Sequence, residues 1–458
     1  MSEIQGENYS ISGVQEAAIP AYSKGVFAGP EALPRPEPFR ASPAESVCAV
    51  IMYIPAYLYV LYAALSYRSE LYVLCIAAVA LFLVGITEAL NTGVKRSAES
   101  WVWLSCFAAV CFSYVRAGLS ASAEYEMQHV WYSKELFLFI HIFAVWWILS
   151  RSGKLAEGKS GHLLPLDALN GFVVIPFSNF FLKIRSVWYL CRSKMSPGKK
   201  TDVAAAAVIV AALGVCALLF ANAVSLLSEA DFAFYELSEK LREVLSFDLD
   251  EEVFMRILLS LPVGSWLFGL AAGAVRTKES FLEKQKSSVG SFLASLRRVP
   301  PLVWSLVIGA FSVMYMVFFY LQGSYLFGAF TRTLPEGFIV SEYARQGFFE
   351  LCKVMALNFG LLWMVTRMSR EGTQNKAILI PCLVLLAESM LFAVIAFSKL
   401  ALYIDCFGFT PKRLQSTWLV CVLFAGCVLW TVNLLTGKEV FRKWMYFGGV
   451  SLAVLSLI

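Results

Sequence analysis

Charge is scarce in this chain: Asp, Glu, Lys and Arg make up 16% of its 458 residues, where an ordinary soluble domain carries about a quarter. Histidine is scarcer, three in all, and no Cys-x-x-Cys pair or Cys/His cluster accompanies it. A zinc site or a disulfide framework therefore has nothing to be built from, and cysteines such as Cys75, Cys106, Cys382 and Cys427 read as small buried apolar residues. The phosphate-cradling GxxxxGK[ST] loop is missing, as are GxGxxG, HExxH and GxSxG. ATP-driven transport by this chain alone finds no support, and no cofactor or metal is expected. Residues 1–45 lack the apolar core of a cleavable signal. With six glutamates and the run PEALPRPEPFRASP, they read as a disordered cytoplasmic leader.

Apolar sequence is abundant. Hydrophobic residues make up 59% of the chain and the mean hydropathy is +0.66. The expected fold is an all-α polytopic bundle in residues 46–458, with spans near 47–65, 71–88, 101–119, 134–150, 203–227, 253–275, 301–322, 347–367, 377–403, 414–435 and 443–458. They are apolar runs about long enough for a hydrocarbon core of ~30 Å, the last being short and the third interrupted near its end by Arg116, and short alternating barrel strands do not have this form. Lys and Arg then orient the ladder. The leader and every second loop hold 26 of the 38 basic residues. This puts the N-terminus in the cytoplasm and, after eleven spans, the C-terminus outside. Basic residues sorted in this way argue for a membrane and give no reason to expect nucleic acid as a partner.

One apolar stretch resists this scheme. Leu163–Ile184 is long enough to cross, but basic residues flank it on both sides, and counting it would invert every later loop. It also holds Pro165, Asp167, Asn170, Gly171, Pro176 and Asn179. A re-entrant or interfacial segment on the cytoplasmic face is expected for 163–184. Outside, residues 228–252 carry nine acids and an apolar repeat at helical spacing, so an amphipathic surface helix is expected there.

Chemistry concentrates in the eighth and ninth spans. At 100° per residue, Glu342, Gln346, Glu350 and Lys353 fall within ~80° of one another, with Arg345 just off that stripe and Asn358 on another face. Glu388 stands near mid-membrane in the ninth span, and Lys399 follows on nearly the same face. A charge at such depth costs a few kcal/mol unless paired or wetted. Glu342, Arg345, Glu350, Lys353, Glu388 and Lys399 are thus expected to line an outward-opening path for a polar solute or protons. A structural Glu350–Lys353 pair is the alternative. A second candidate is HLLPLD, where His162 and Asp167 have the H-x4-D spacing of a base held by a carboxylate. His141, alone among Phe and Ile, reads as hydrogen-bonded packing.

The stretches GHLLPLDALNGFVVIPFSNFF (161–181), FMRILLSLPVGSWLFGL (254–270), SEYARQGFFELCKVMALNFG (341–360) and GFTPKRLQSTW (408–418) resemble the hallmark segments of an uncharacterised bacterial family. It is one of the "domain of unknown function" families of multi-pass membrane proteins. The resemblance implies a helical bundle in a bacterial cytoplasmic membrane and carries over no reaction, substrate or catalytic residue. The leading expectation is a permease-like protein, or a permease component, for a polar or charged solute. Alternatives are a lipid-modifying enzyme using His162 and Asp167, and a sensor or assembly subunit whose 228–252 helix meets a protein partner at the outer face.

Overall fold

A computed structural model describes residues 39–64, 70–119, 126–193, 251–321, 347–370 and 375–457. The helices are α1 (Pro43–Ile51), α2 (Tyr53–Ala64), α3 (Glu70–Leu90), α4 (Ala98–Leu119), α5 (Glu126–Arg151), α6 (Leu164–Leu169), α7 (Ile175–Ser178) and α8 (Leu182–Ser193). After them come α9 (Glu251–Arg276), α10 (Glu279–Ser295), α11 (Pro301–Leu321), α12 (Phe348–Met368), α13 (Lys376–Phe407), α14 (Pro411–Thr436) and α15 (Phe441–Leu457). No strand forms among the described residues; Val299 and Ser369 make an isolated bridge.

Local sequence explains where several helices begin. Ser42 Oγ accepts from the Glu45 amide, Asn375 Oδ1 from that of Ala377 and Thr410 Oγ1 from that of Arg413, each satisfying an otherwise orphaned N–H. Proline stands in the first turn of α1 and of α14, where no amide hydrogen is needed.

Nine segments among the described residues are long and apolar enough to cross a membrane, judged by length and composition. They comprise expected spans one to three and six to ten, together with Leu164–Ser193. The fourth and eleventh expected spans form α5 and the 17-residue α15, which fall short of that measure. The fifth expected span, the leader up to residue 38 and the acidic segment up to residue 250 lie outside the described residues.

Partly buried ion pairs tie helix ends together on one face. Arg151 at the end of α5 donates through Nε to Glu88 at 3.0 Å and through Nη1 and Nη2 to the carbonyls of Val94 and Asn91. Arg276 at the end of α9 holds Glu45 of α1 at 2.7 Å. Glu99 of α4 accepts from Trp103, from the Ser160 amide and hydroxyl, and from Arg442 of α15. This face, called the anchored face below, carries the loops in which Lys and Arg are richest.

Elsewhere the packing is apolar and close. Lipid is as apolar as leucine, so helices associate through shape and hydrogen bonds rather than through escape from water. Around α13 pack α11, α12 and α14, burying Ile308, Met355, Leu362, Leu386, Phe392 and Cys427. A methyl group on Gly426 of α14 would strike Trp444 of α15 at 2.8 Å, so glycine permits this approach.

The stretch Leu164–Ser193 is broken. α6 widens into a π-helical turn at Asn170–Val174, continues as α7 and stops in a turn at 179–181 before α8. Asn170 Nδ2 donates to Gln285 of α10 at 3.0 Å, and Ser186 of α8 donates to Glu45 at 2.9 Å.

Candidate functional site

The strongest polar cluster inside the bundle lies where α11, α12 and α13 meet. Tyr315 of α11 donates its hydroxyl to Asn358 Oδ1 of α12 at 2.8 Å. Asn358 Nδ2 donates in turn to Ser389 Oγ of α13 at 2.9 Å, and Ser389 donates to the Leu385 carbonyl of its own helix at 2.8 Å. Because Ser389 gives its only proton to Leu385, its oxygen can only accept from Asn358, which fixes the amide orientation. Phe392 closes one side, its ring perpendicular to Tyr315 at 5.1 Å between centroids.

Glu388 is next to Ser389 in sequence and stands outside the relay. Its side chain is buried, and neither carboxylate oxygen has a hydrogen-bond partner. Ser312, one turn before Tyr315, stands beside it without closing a bond. Depth along the helices is consistent. Glu388 lies twelve residues into α13 and Asn358 ten into α12, or about 18 and 15 Å at 1.5 Å per residue. This places a carboxylate near the middle of the apolar layer.

The other expected residues do not join Glu388. Lys399 is fully buried eleven residues further on, about 16 Å along α13. It meets the start of α12, where a methyl on Gly347 would come within 3.2 Å of Lys399 Nζ and the Glu350 charge acts on it. Glu350 folds back to accept from the Gly347 amide at 2.8 Å, across a residue whose φ of +85° suits glycine. Lys353 points outward and is exposed, and no Glu350–Lys353 ion pair forms among the described residues. Glu342 and Arg345 lie outside the described residues. The described part of the stripe, Glu350 and Lys353, therefore lies on the exposed face of α12. The buried face is the one bearing Asn358, which sequence reasoning set aside.

His162 and Asp167 are not brought together as a hydrogen-bonded pair. Asp167 is buried and accepts from the Ala156 amide at 2.6 Å, so it holds the loop after α5. His162 Nε2 instead meets Glu157 Oε1 at 3.0 Å. The two line a pocket of about 460 Å³ on the anchored face, with Lys286, Ser287 and Arg367. Burial lowers the His162 pKa, the positive charges of Arg367 and Lys286 act in the same sense, and Glu157 and Glu439 oppose them. His141 bonds to Tyr59 at 3.0 Å and to the Phe137 carbonyl at 2.6 Å, the packing role read from its surroundings.

A family described as a domain of unknown function, DUF4153, matches residues 104–458. The chain belongs to this family. The DUF4153 region begins within α4 and contains the Glu388 cluster, the His162 pocket and the broken stretch, while α1 to α3 precede it. No curated protein and no solved structure matches. The membership, together with nine segments among the described residues that are apolar and of spanning length, is that of a membrane protein in a family of unknown function.

Proposed function

We propose that this chain is a permease-like protein, or a permease component, that moves a polar or charged solute in step with a proton or cation taken up at Glu388. The observation that carries this reading is the buried Glu388 carboxylate with neither oxygen hydrogen-bonded. An ionised carboxylate left alone at that depth costs several kcal/mol, and a bound proton or cation removes the cost. Ser312 supplies an uncommitted hydroxyl beside it, and the Tyr315–Asn358–Ser389 relay holds the three helices around it. The reading keeps the orientation set by the basic loops, with the anchored face in the cytoplasm of a bacterial cell and the C-terminus outside.

The test uses the purified chain in liposomes with a trapped pH dye and an imposed potassium diffusion potential. Wild-type protein is expected to acidify the lumen, and Glu388→Gln to do so at least tenfold more slowly. Equal rates for the two proteins would remove Glu388 from any proton path.

One observation favours a second reading, interfacial chemistry on lipid. His162 is held by Glu157 in a pocket open on the anchored face, with its pKa lowered so that the imidazole is neutral and available as a base. Here His162→Ala should abolish turnover of a lipid substrate, and retained turnover excludes it.

A further inference from the structure

By length and composition Leu164–Ser193 qualifies as a membrane span. Its contacts say otherwise. The close approaches between its backbone and α5 and α9 lie near the anchored face. A methyl on Gly171 would strike Val145 and Leu149 of α5, six and two residues before Arg151. A methyl on Gly269 of α9 would strike the carbonyls of Pro176 and Asn179. Gly269 lies seven residues before Arg276, about 10 Å from the helix end. Further along, Ser186 bonds to Glu45, two residues into α1. The chain thus goes in beside Asp167 and is back at the anchored face by Ser186. The deepest reach is a side chain: Lys183 Nζ stands 5.3 Å from the Tyr53 ring centroid.

The amphipathicity of the stretch is inverted relative to a soluble helix. Asp167, Asn170 and Ser186 are completely buried, whereas Leu169, Val173, Phe177, Phe181 and Ile184 are 46–62% exposed. Spacings of four put Leu169, Val173 and Phe177 on one side of the α6–α7 stretch, and Phe181 and Ile184 carry the exposed apolar surface on through the turn into α8. Arg185 and Arg192 of α8 are exposed as well. In water such a surface would be an adhesive patch. At the boundary of a leaflet, acyl chains cover the surface and the arginines meet anionic headgroups.

We propose that Leu164–Ser193 enters and leaves the membrane on the anchored face, with the Leu169–Val173–Phe177–Phe181–Ile184 surface packed against the acyl chains of that leaflet and Arg185 and Arg192 at its headgroups. The partner is the lipid leaflet itself. The segment turns back before mid-membrane and packs against the ends of α1, α5 and α9. This inference does not depend on the role of Glu388.

The unaltered protein supplies the first test. In sealed vesicles of one orientation, a membrane-impermeant amine reagent and a membrane-impermeant maleimide are read out peptide by peptide at the exposed Lys159 and Cys191. Both residues are expected to react from the same side. Reaction from opposite sides would show a crossing and overturn the proposal. The second test places a nitroxide at Phe177 or Phe181 in liposomes containing anionic lipid. Oxygen is expected to relax it several-fold more than a water-soluble nickel chelate does, at a depth within the outer half of one leaflet. A surface in water reverses that ratio, and a label at the bilayer centre signals a span; either result overturns the assignment.

Discussion

The Asn358 amide donates to the Ser389 hydroxyl at 2.9 Å, so the hydroxyl next to Glu388 in sequence is engaged by another helix. Ser389 gives its own proton to the Leu385 carbonyl. Nothing in that chain of donors turns toward the carboxylate. The cluster is thus divided between a satisfied relay that joins three helices and an acid that the relay leaves alone. Stability belongs to the first part and, in our reading, function to the second.

That division predicts opposite effects at neighbouring positions. Glu388→Leu removes an uncompensated polar group and keeps the volume, so the thermal midpoint should rise by about 1–3 °C. Proton uptake should be lost in the same protein. Differential scanning fluorimetry in detergent reads the first quantity and the liposome assay the second. A fall in midpoint would mean that Glu388 holds the fold.

For the relay, hydrogen bonds between helices in a membrane contribute about 0.6 kcal/mol on average and at most about 1.7. Asn358→Ala removes two of them and leaves the Tyr315 hydroxyl without its acceptor. A loss of about 1–2 kcal/mol is expected. A double-mutant cycle with Tyr315→Phe should give a coupling of about 0.5 kcal/mol or more. Additive losses would show that the Tyr315–Asn358 contact contributes nothing.

Much of this was legible in the sequence. Bilayer thickness sets the length of an apolar run, and loop charge groups the ends that gather on the anchored face. Glu388 could be found because a carboxylate inside an apolar run costs free energy wherever it sits. Asn358, Tyr315 and Ser312 could not be singled out, because neutral polar groups are tolerated on many helix faces and become a cluster only when partners are known. Helical spacing groups Glu350 with Lys353, but it cannot say whether a shared face looks inward. Likewise the His162–Asp167 spacing is blind to the turn at Gly158, whose φ of +70° reverses the loop that carries Glu157 to His162.

Arg151 is the least replaceable of the charges on the anchored face. Its side chain is 4% exposed and satisfies Glu88 and two carbonyls from α3 and the loop after it. Lysine cannot reproduce that planar fork. Arg151→Met should cost about 3 kcal/mol or more, since it strands buried acceptors, and Arg151→Lys should recover only part. Chemical denaturation of the reconstituted protein provides the measurement. A loss under about 0.5 kcal/mol would show that Arg96, which also reaches Glu88 at 2.8 Å, suffices.

Acid should weaken the His162 pocket in a defined direction. Burial lowers the pKa of the folded imidazole below its ordinary value of 6.5, assisted by Arg367 and Lys286 and opposed by Glu157 and Glu439. Between that ordinary value and the lowered one, the unfolded chain binds a proton that the folded chain refuses, so stability rises with pH across the window. Above pH 6.5 or so the contribution is complete. It diminishes as the pH falls and levels off below the folded pKa. His162→Gln cannot titrate, so its stability should fall less between about pH 7 and 5 than that of the wild type, while Asp and Glu elsewhere contribute equally to both. Thermal midpoints across that range decide the point. Parallel curves would mean that His162 titrates alike in the folded and unfolded chains, and the base proposed for interfacial chemistry would then carry a proton through the lower half of the range.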